Sequence, residues 1–494
     1  MRMGCVILAG WCAAVHAGET VPPAYHVAQA VAAPSIALPA GKRLPFGWAG
    51  LPITPDRPTQ LGWAPGGNRI APGAAARFRL TLAVDDRSPR LIDVTLARTG
   101  RRLGTFDLRF AHALEIFELL LAADDAAAAA HEGLALQLRE TGTPLWFVSS
   151  SSAPATCPPE LQPHLWFAGA PREGRKAFFD RFASHASVAP FGWMEGCVLD
   201  GLRDLAVGED AARFAAARRG HWALFLDPDN RLVYEDPRSG VADDKFINIE
   251  ETLPVADLAL RDPHHRVVAL ALEYWARNTH PGGLIYSGTL VSAEGSYTVG
   301  YPLAVVAAQR GDRALAGQAL TQLLGRRDRL WHAGALWLRH DEKGVRTFRN
   351  WARGVTWHFL GMVRAWPHLR AAGANTAELE AEIRRTGAWA RRYQREDGLW
   401  NCFLDDPACP PDTAGSAGIA AALALGAGLQ VLTGDDLAAA RRTLPALEGK
   451  LTPDGFLTGV AQSNRGGEAL QRSDYRVISA MGMGLMAQLI AAAR

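Results

Sequence analysis

The sequence has little of what several large function classes require. Its six cysteines form no Cys-x-x-Cys pair, so there is no pattern for a structural zinc site. It has no His-Glu-x-x-His segment, which argues against metal-assisted hydrolysis. It also lacks any excess of charge: 52 Lys and Arg stand against 50 Asp and Glu, a net +2. Neither nucleic acid nor an anionic membrane is therefore an expected partner. After the first fourteen residues no apolar run is long enough to span a bilayer. The rest is an ordinary globular composition, 48% apolar and 21% charged, and 494 residues suit two domains, one of them large.

The start, "MRMGCVILAGWCAAVHAGET", sets Arg2 before a short apolar run and then Val15-His16-Ala17. This reads as a cleavable signal peptide over residues 1–17, so a periplasmic or secreted protein is expected. Its removal leaves Cys157, Cys197, Cys402 and Cys409. In an oxidising compartment Cys402 and Cys409 could close a small loop; free buried thiols are the other reading.

From residue 76 to 149 six segments are strand-like, several of them with period-two alternation: 76–84, 90–97, 104–110, 114–121, 133–140 and 144–149. Turn-formers such as "DDRSPR" separate them, so an antiparallel β-sandwich is expected over 18–150. The alanine-rich "AADDAAAAAHEG", 122–133, is read as a connection between two strands. A Ser- and Pro-rich break follows, and 151–175 is expected to be a linker. Beyond it, from 176 to 494, come paired segments of helical length rich in Ala, Leu and Arg. Aromatic- or glycine-rich loops recur between them, a rhythm that predicts an all-α toroid.

Those loops hold most of the chemistry. "PFGWMEG", "KFINIEE", "RLWHAGALWLRHDEKG", "FRNWARGVTW" and "REDGLWNCF" each place aromatic rings beside carboxylates, amides or arginine. Sugars need that mixture, because their C–H faces stack on flat rings and their hydroxyls require directed hydrogen bonds. On a helix, Asn350, Arg353, Trp357 and Gly361 fall near one line. Arg353 beside an indole suits a sugar carboxylate, since the planar guanidinium matches it bidentately. An ion pair with a structural Asp or Glu is the equal alternative.

These pieces resemble the unsaturated glucuronyl and rhamnogalacturonyl hydrolases, glycoside hydrolase families 88 and 105, over roughly residues 190 to 494. "WARGVTW" (351–357) is similar to their Trp-x-Arg-Gly-x-x-Trp segment, and "REDGLW" followed by "DTAGSAGIAAAL" to their Asp-Gly-x-Trp and Glu-Thr-Ser-x-x-Ala segments. "GVAQSNRGG" and "GMGLMAQLI" resemble their last loop and helix. The resemblance implies an (α/α)6 barrel with the active site at one mouth, and no metal or cofactor. It implies that a carboxyl group protonates the C4=C5 bond of an unsaturated uronic acid, after which water adds at C5 and the neighbouring sugar leaves. The implied proton donor falls at Glu294, where the family has Asp. The family's Asn-Gly after the arginine is replaced by Val355-Thr356.

Glu294 is thus the expected catalytic acid and Arg353 the carboxylate clamp. Trp193, Tyr297, Trp351, Trp357 and Trp400 are expected stacking walls, with His340, Asn350 and Asp412 as further substrate contacts. The expected partner is an oligosaccharide carrying a uronic acid, and the chain a monomer or weak homo-oligomer. Other readings remain. A uronic-acid-specific β-glucuronidase would draw two carboxyls from Glu195, Glu250, Glu251, Glu294, Asp341, Glu342, Asp397 and Asp412. An α/α-toroid polysaccharide lyase would draft Tyr297, His340, Asn350 and Arg353. A non-catalytic carbohydrate-binding protein would use the β domain for recognition.

Overall fold

The computed structural model describes residues 24–64, 75–151, 156–167 and 173–494; the expected signal peptide lies outside them. Sheets occupy the N-terminal part and helices dominate the C-terminal part.

The N-terminal strands are β1 (Ala24–Val27), β2 (Gln29–Ala32), β3 (Gly50–Ile53), β4 (Thr59–Gly62), β5 (Ala76–Thr81), β6 (Arg90–Leu96), β7 (Arg102–Leu108) and β8 (Ile116–Leu121). Helix α1 (Ala123–Glu132) precedes β9 (Leu134–Leu138), β10 (Leu145–Val148) and β11 (His164–Phe167). One sheet runs β1-β11-β5-β8 and a second β2-β4-β9-β6-β7, while β10 pairs with β3; every pairing is antiparallel. In β6 burial alternates strictly: Ile92, Val94 and Leu96 are buried and face Leu138, Leu136 and Leu134 across the ladder. That is the period-two pattern the sequence carries. These side chains share one core with Phe78, Leu80, Phe106 and Phe147.

Two expectations change here. The segment 122–133 is a helix, since five consecutive alanines behind Asp124 and Asp125 favour one where the first turn is acidic. The sheets also continue past residue 150: β11 lies inside the expected linker and pairs with both β1 and β5.

The helical part begins with α2 (Gly174–Phe182), α3 (Trp193–Leu205), α4 (Ala211–Phe225), α5 (Val255–Ala259), α6 (Arg266–Arg277), α7 (Tyr301–Arg310) and α8 (Arg313–Leu330). It ends with α9 (Ala352–Ala371), α10 (Ala377–Arg391), α11 (Thr413–Gly428), α12 (Gly434–Glu448), α13 (Gly467–Arg472) and α14 (Ala480–Ala492). A small sheet from 290 to 349 stands before α9. Helices α9, α11 and α14 are buried almost all round, whereas α6 and α10 show one buried stripe. The inner helices approach closely: a Cβ on Gly484 of α14 would stand 2.5 Å from the Cys197 carbonyl carbon of α3. No helix among the described residues is long and apolar enough to cross a membrane.

The two parts are locked together. Arg79 of β5 is fully buried and holds Asp454 through Nη1 at 2.6 Å and Nη2 at 3.0 Å. Tyr25 donates to the same carboxylate at 3.0 Å, and Ile116 bridges to Ile478. Trp48, Leu114, Ile116 and Val148 belong to the helical core rather than to their own sheet's core.

Candidate active site

A cavity of about 590 Å³ opens where the helix starts meet the N-terminal sheets. Trp193 is the first residue of α3, Trp351 is the N-cap of α9, and Glu250 and Glu294 lie just ahead of α5 and α7. Trp193, Trp351 and Trp357 form an aromatic wall, with Trp193 edge-on to Trp357 at 5.8 Å.

Glu250 and Glu294 are the glutamates of this wall. Glu294 Oε1 accepts from Asn464 Nδ2 at 3.2 Å and stands 3.7 Å from Arg339; its Oε2 is buried without a hydrogen-bond partner among the described residues. A π-helical turn, Ser296–Gly300, follows it and sets the entry into α7. Glu250 sits in a tight turn held by Asn248, whose Oδ1 accepts from the Glu250 N–H at 2.9 Å. Burial, and next the charge of Glu294, push the Glu250 carboxyl up to about 7; Arg465 and Arg339 oppose this. A Glu250 carboxyl raised this far still holds its proton through the acidic range and releases it only near neutral pH.

The wall also carries Arg87, Arg238, Arg339, Arg353 and Arg465 against Asp236 and the two glutamates. Neither Arg238 nor Arg465 has a side-chain hydrogen bond or ion pair among the described residues, and both are exposed. Arg353 is 2% exposed and its guanidinium lies 4.6 Å over the Trp351 ring. Its Nη2 donates to the Gln462 carbonyl and, at 3.2 Å, to Gln471 Oε1. Its Nε is 3.1 Å from Asp412 Oδ2, off the angle of a hydrogen bond. Among the described residues Nη2 is occupied, Nε has an ion pair but no hydrogen bond, and Nη1 has neither, so a bidentate fork is no longer free. The structural ion pair and the cavity position are both real.

The remaining expected contacts lie elsewhere. Tyr297 is sealed beneath Trp357, stacked on it at 6.1 Å, and donates to Asp200 at 2.5 Å. Trp400 is fully buried and donates to the Ala390 carbonyl at 2.8 Å. Asn350 precedes the helix in a left-handed conformation, φ 52°, so the line drawn through it and Arg353 does not exist. Its side chain instead accepts from the Leu336 N–H at 3.0 Å. His340 lies in the ladder ahead of α9, and Asp412 caps α11 while bracing Arg353. With Tyr297, Asn350 and His340 outside the cavity lining, the lyase reading loses its proposed base.

Of the other carboxylates, Glu195 is buried against His221 at 2.8 Å, Glu251 closes a capping box, and Asp397 accepts from the Leu399 N–H in a turn. Cys402 and Cys409 are free thiols, both buried. What the sequence did not single out is the pairing of Glu250 with Glu294, the loop residues Asn464 and Arg465, and three contributions from the N-terminal part: Arg87, Phe110 and His112. The acidic "NIEE" was a visible signal; the partnership across 44 positions was not.

Residues 306–493 match the family model described as Glycosyl Hydrolase Family 88. The chain resembles family 88 in sequence. That family 88 match takes in Trp351, Arg353, Trp357 and Arg465 but stops short of Glu250 and Glu294. Over 144 residues the chain is 26% identical to the unsaturated rhamnogalacturonyl hydrolase YesR of Bacillus subtilis, 28% of this chain and 40% of that one. It therefore spans well under half the length of that curated relative. Among solved structures, a family 105 glycoside hydrolase of C. acetobutylicum superposes with a TM-score of 0.56 at 15% identity, covering 65% of this chain and 99% of that one. A Klebsiella pneumoniae protein described as a possible member of the same family gives 0.52 at 16% identity, covering 61% and 82%. The structural likenesses show the fold of the helical part.

Proposed function

We propose that the protein is a glycoside hydrolase that removes a terminal unsaturated uronic acid from an oligosaccharide. In this reading α2 to α14 close into an (α/α)6 barrel behind an N-terminal β-sandwich that runs to Phe167. Residues 1–17 direct export to the periplasm or beyond, and the chain works as a monomer or weak homo-oligomer. One observation carries the reading: two glutamates, one of them raised to about 7, share a cavity with three tryptophans and a surplus of arginine.

Glu294 in its acid form delivers its own proton to C4, and Glu250, whose carboxyl is raised to about 7, stands beside it as a second acid. Water then adds at C5 and returns its proton to the carboxyl pair. The resulting hemiketal opens, the glycosidic oxygen leaves with the neighbouring sugar, and one water is consumed overall. Arg353 Nη1 and the unpaired Arg465 grip the uronate carboxylate, while the indoles support the flat, unsaturated ring. Mass spectrometry of an unsaturated glucuronosyl disaccharide reaction tests this directly. Two monosaccharide products whose masses sum to substrate plus one water are expected; an intact disaccharide after prolonged incubation contradicts it.

A further inference from the structure

The N-terminal part lends the cavity a side chain with no employment of its own. His112 lines the cavity, is 9% exposed, and has neither ring nitrogen hydrogen-bonded among the described residues, although both are buried. It stands edge-on to Trp193 at 6.2 Å. Buried polar atoms left unpaired cost free energy, so two on one ring call for a partner that arrives from outside.

The segment around it is held rigidly. Phe110 and Leu114, on either side, both take left-handed backbone conformations, φ 51° and 64°, which bulky residues seldom adopt. Glu115 accepts from the His112 N–H at 3.2 Å and from Gln462 Nε2 at 2.8 and 3.0 Å, tying the turn to the loop that carries Asn464 and Arg465. Tyr475 donates to the Asp107 carbonyl at 3.0 Å and accepts from the Arg109 N–H at 3.2 Å. Burial, with the charges of Arg87 and Arg353, drives the imidazole down to about 3, so the ring is neutral.

We propose that His112 is a sugar-binding residue supplied by the N-terminal domain, its neutral imidazole donating to one substrate hydroxyl and accepting from another. A neutral ring offers one donor and one acceptor, which suits hydroxyl groups; an anion wants donors only, and the neighbouring arginines provide those. The cavity is then incomplete without the N-terminal domain. This inference rests on the reading of the cavity as a uronide site.

The test compares His112→Phe, which keeps an aromatic ring beside Trp193, with His112→Gln, which keeps a donor and an acceptor. For His112→Phe, KM for an unsaturated glucuronosyl disaccharide is expected to rise about tenfold, with kcat within about twofold and Tm unchanged or higher. His112→Gln should recover part of the KM. An unaltered KM in His112→Phe overturns the proposal. Should the wild type consume no unsaturated uronide, the functional reading falls separately. Calorimetric titration with a saturated glucuronosyl disaccharide then decides the role of His112: weaker binding by His112→Phe sustains it, equal binding ends it.

Discussion

At the scale of single residues the account turns on Glu250 and Glu294. Glu294→Gln keeps the shape and the bond from Asn464 but cannot deliver a proton; kcat should fall by about 10²–10⁴ with KM little changed. Glu250→Gln should cut kcat and displace the alkaline limb of the wild-type profile away from about pH 7. The sign follows from the direction of the shift: activity needs the protonated pair, so in the wild type it declines as pH rises through about 7. A wild-type profile flat from pH 5 to 9 contradicts the raised Glu250 carboxyl. Arg353→Met should raise KM, and it should also lower Tm, because Asp412 is left buried without its partner. Steady-state kinetics and a thermal melt on the same preparation separate the two effects. Arg353, Trp351 and Trp357 were legible because one short motif keeps them adjacent in the chain, and Trp193 because it stands in an aromatic loop ahead of a helix. Glu250 was hidden among eight candidate carboxylates, since its raised pKa depends on burial, and next on a neighbour, that only folding supplies.

At the scale of elements, long periodic segments were readable and short or irregular ones were not. The segment expected over 265–278 is α6, Arg266–Arg277, because Val267, Val268, Ala271, Tyr274 and Trp275 give it one buried stripe. By contrast β1 to β4 have four residues each and sit in Pro- and Gly-rich sequence, too short to show a period. Asn350 and Trp351 defeated helical reasoning because α9 begins at Ala352, after a strand and a left-handed turn. The 110–116 turn carries its own prediction. Burial pushes Glu115 up to about 8, against about 4.3 in an unfolded chain. Between those values the native state keeps a proton that the unfolded chain has released, so stability falls as pH rises through the window. Glu115→Gln removes this slope: relative to wild type its Tm should be higher at pH 8.5 than at pH 5. Parallel Tm–pH curves for the two proteins contradict the buried neutral acid.

At the scale of the whole molecule, the two-part architecture was visible as a change of texture near residue 150, but the depth of the junction was not. The Arg79–Asp454 pair joins positions 375 apart, and neither residue stands in a motif. Asp454→Ala leaves a fully buried guanidinium with a weakened set of partners, and urea denaturation should show a loss of about 3–5 kcal/mol. A loss below about 1 kcal/mol would mean that the sheets and helices are only loosely docked. The central claim is that these parts together enclose one cavity where coupled carboxyls protonate an unsaturated uronide. The most direct measurement follows the ultraviolet absorbance of the C4=C5 bond in an unsaturated glucuronosyl disaccharide, with wild type and Glu294→Gln side by side. The account predicts that the absorbance decays with wild-type enzyme and persists with the variant. Absorbance that stays constant with both, or that rises when the enzyme is given intact uronic-acid polysaccharide, would contradict it.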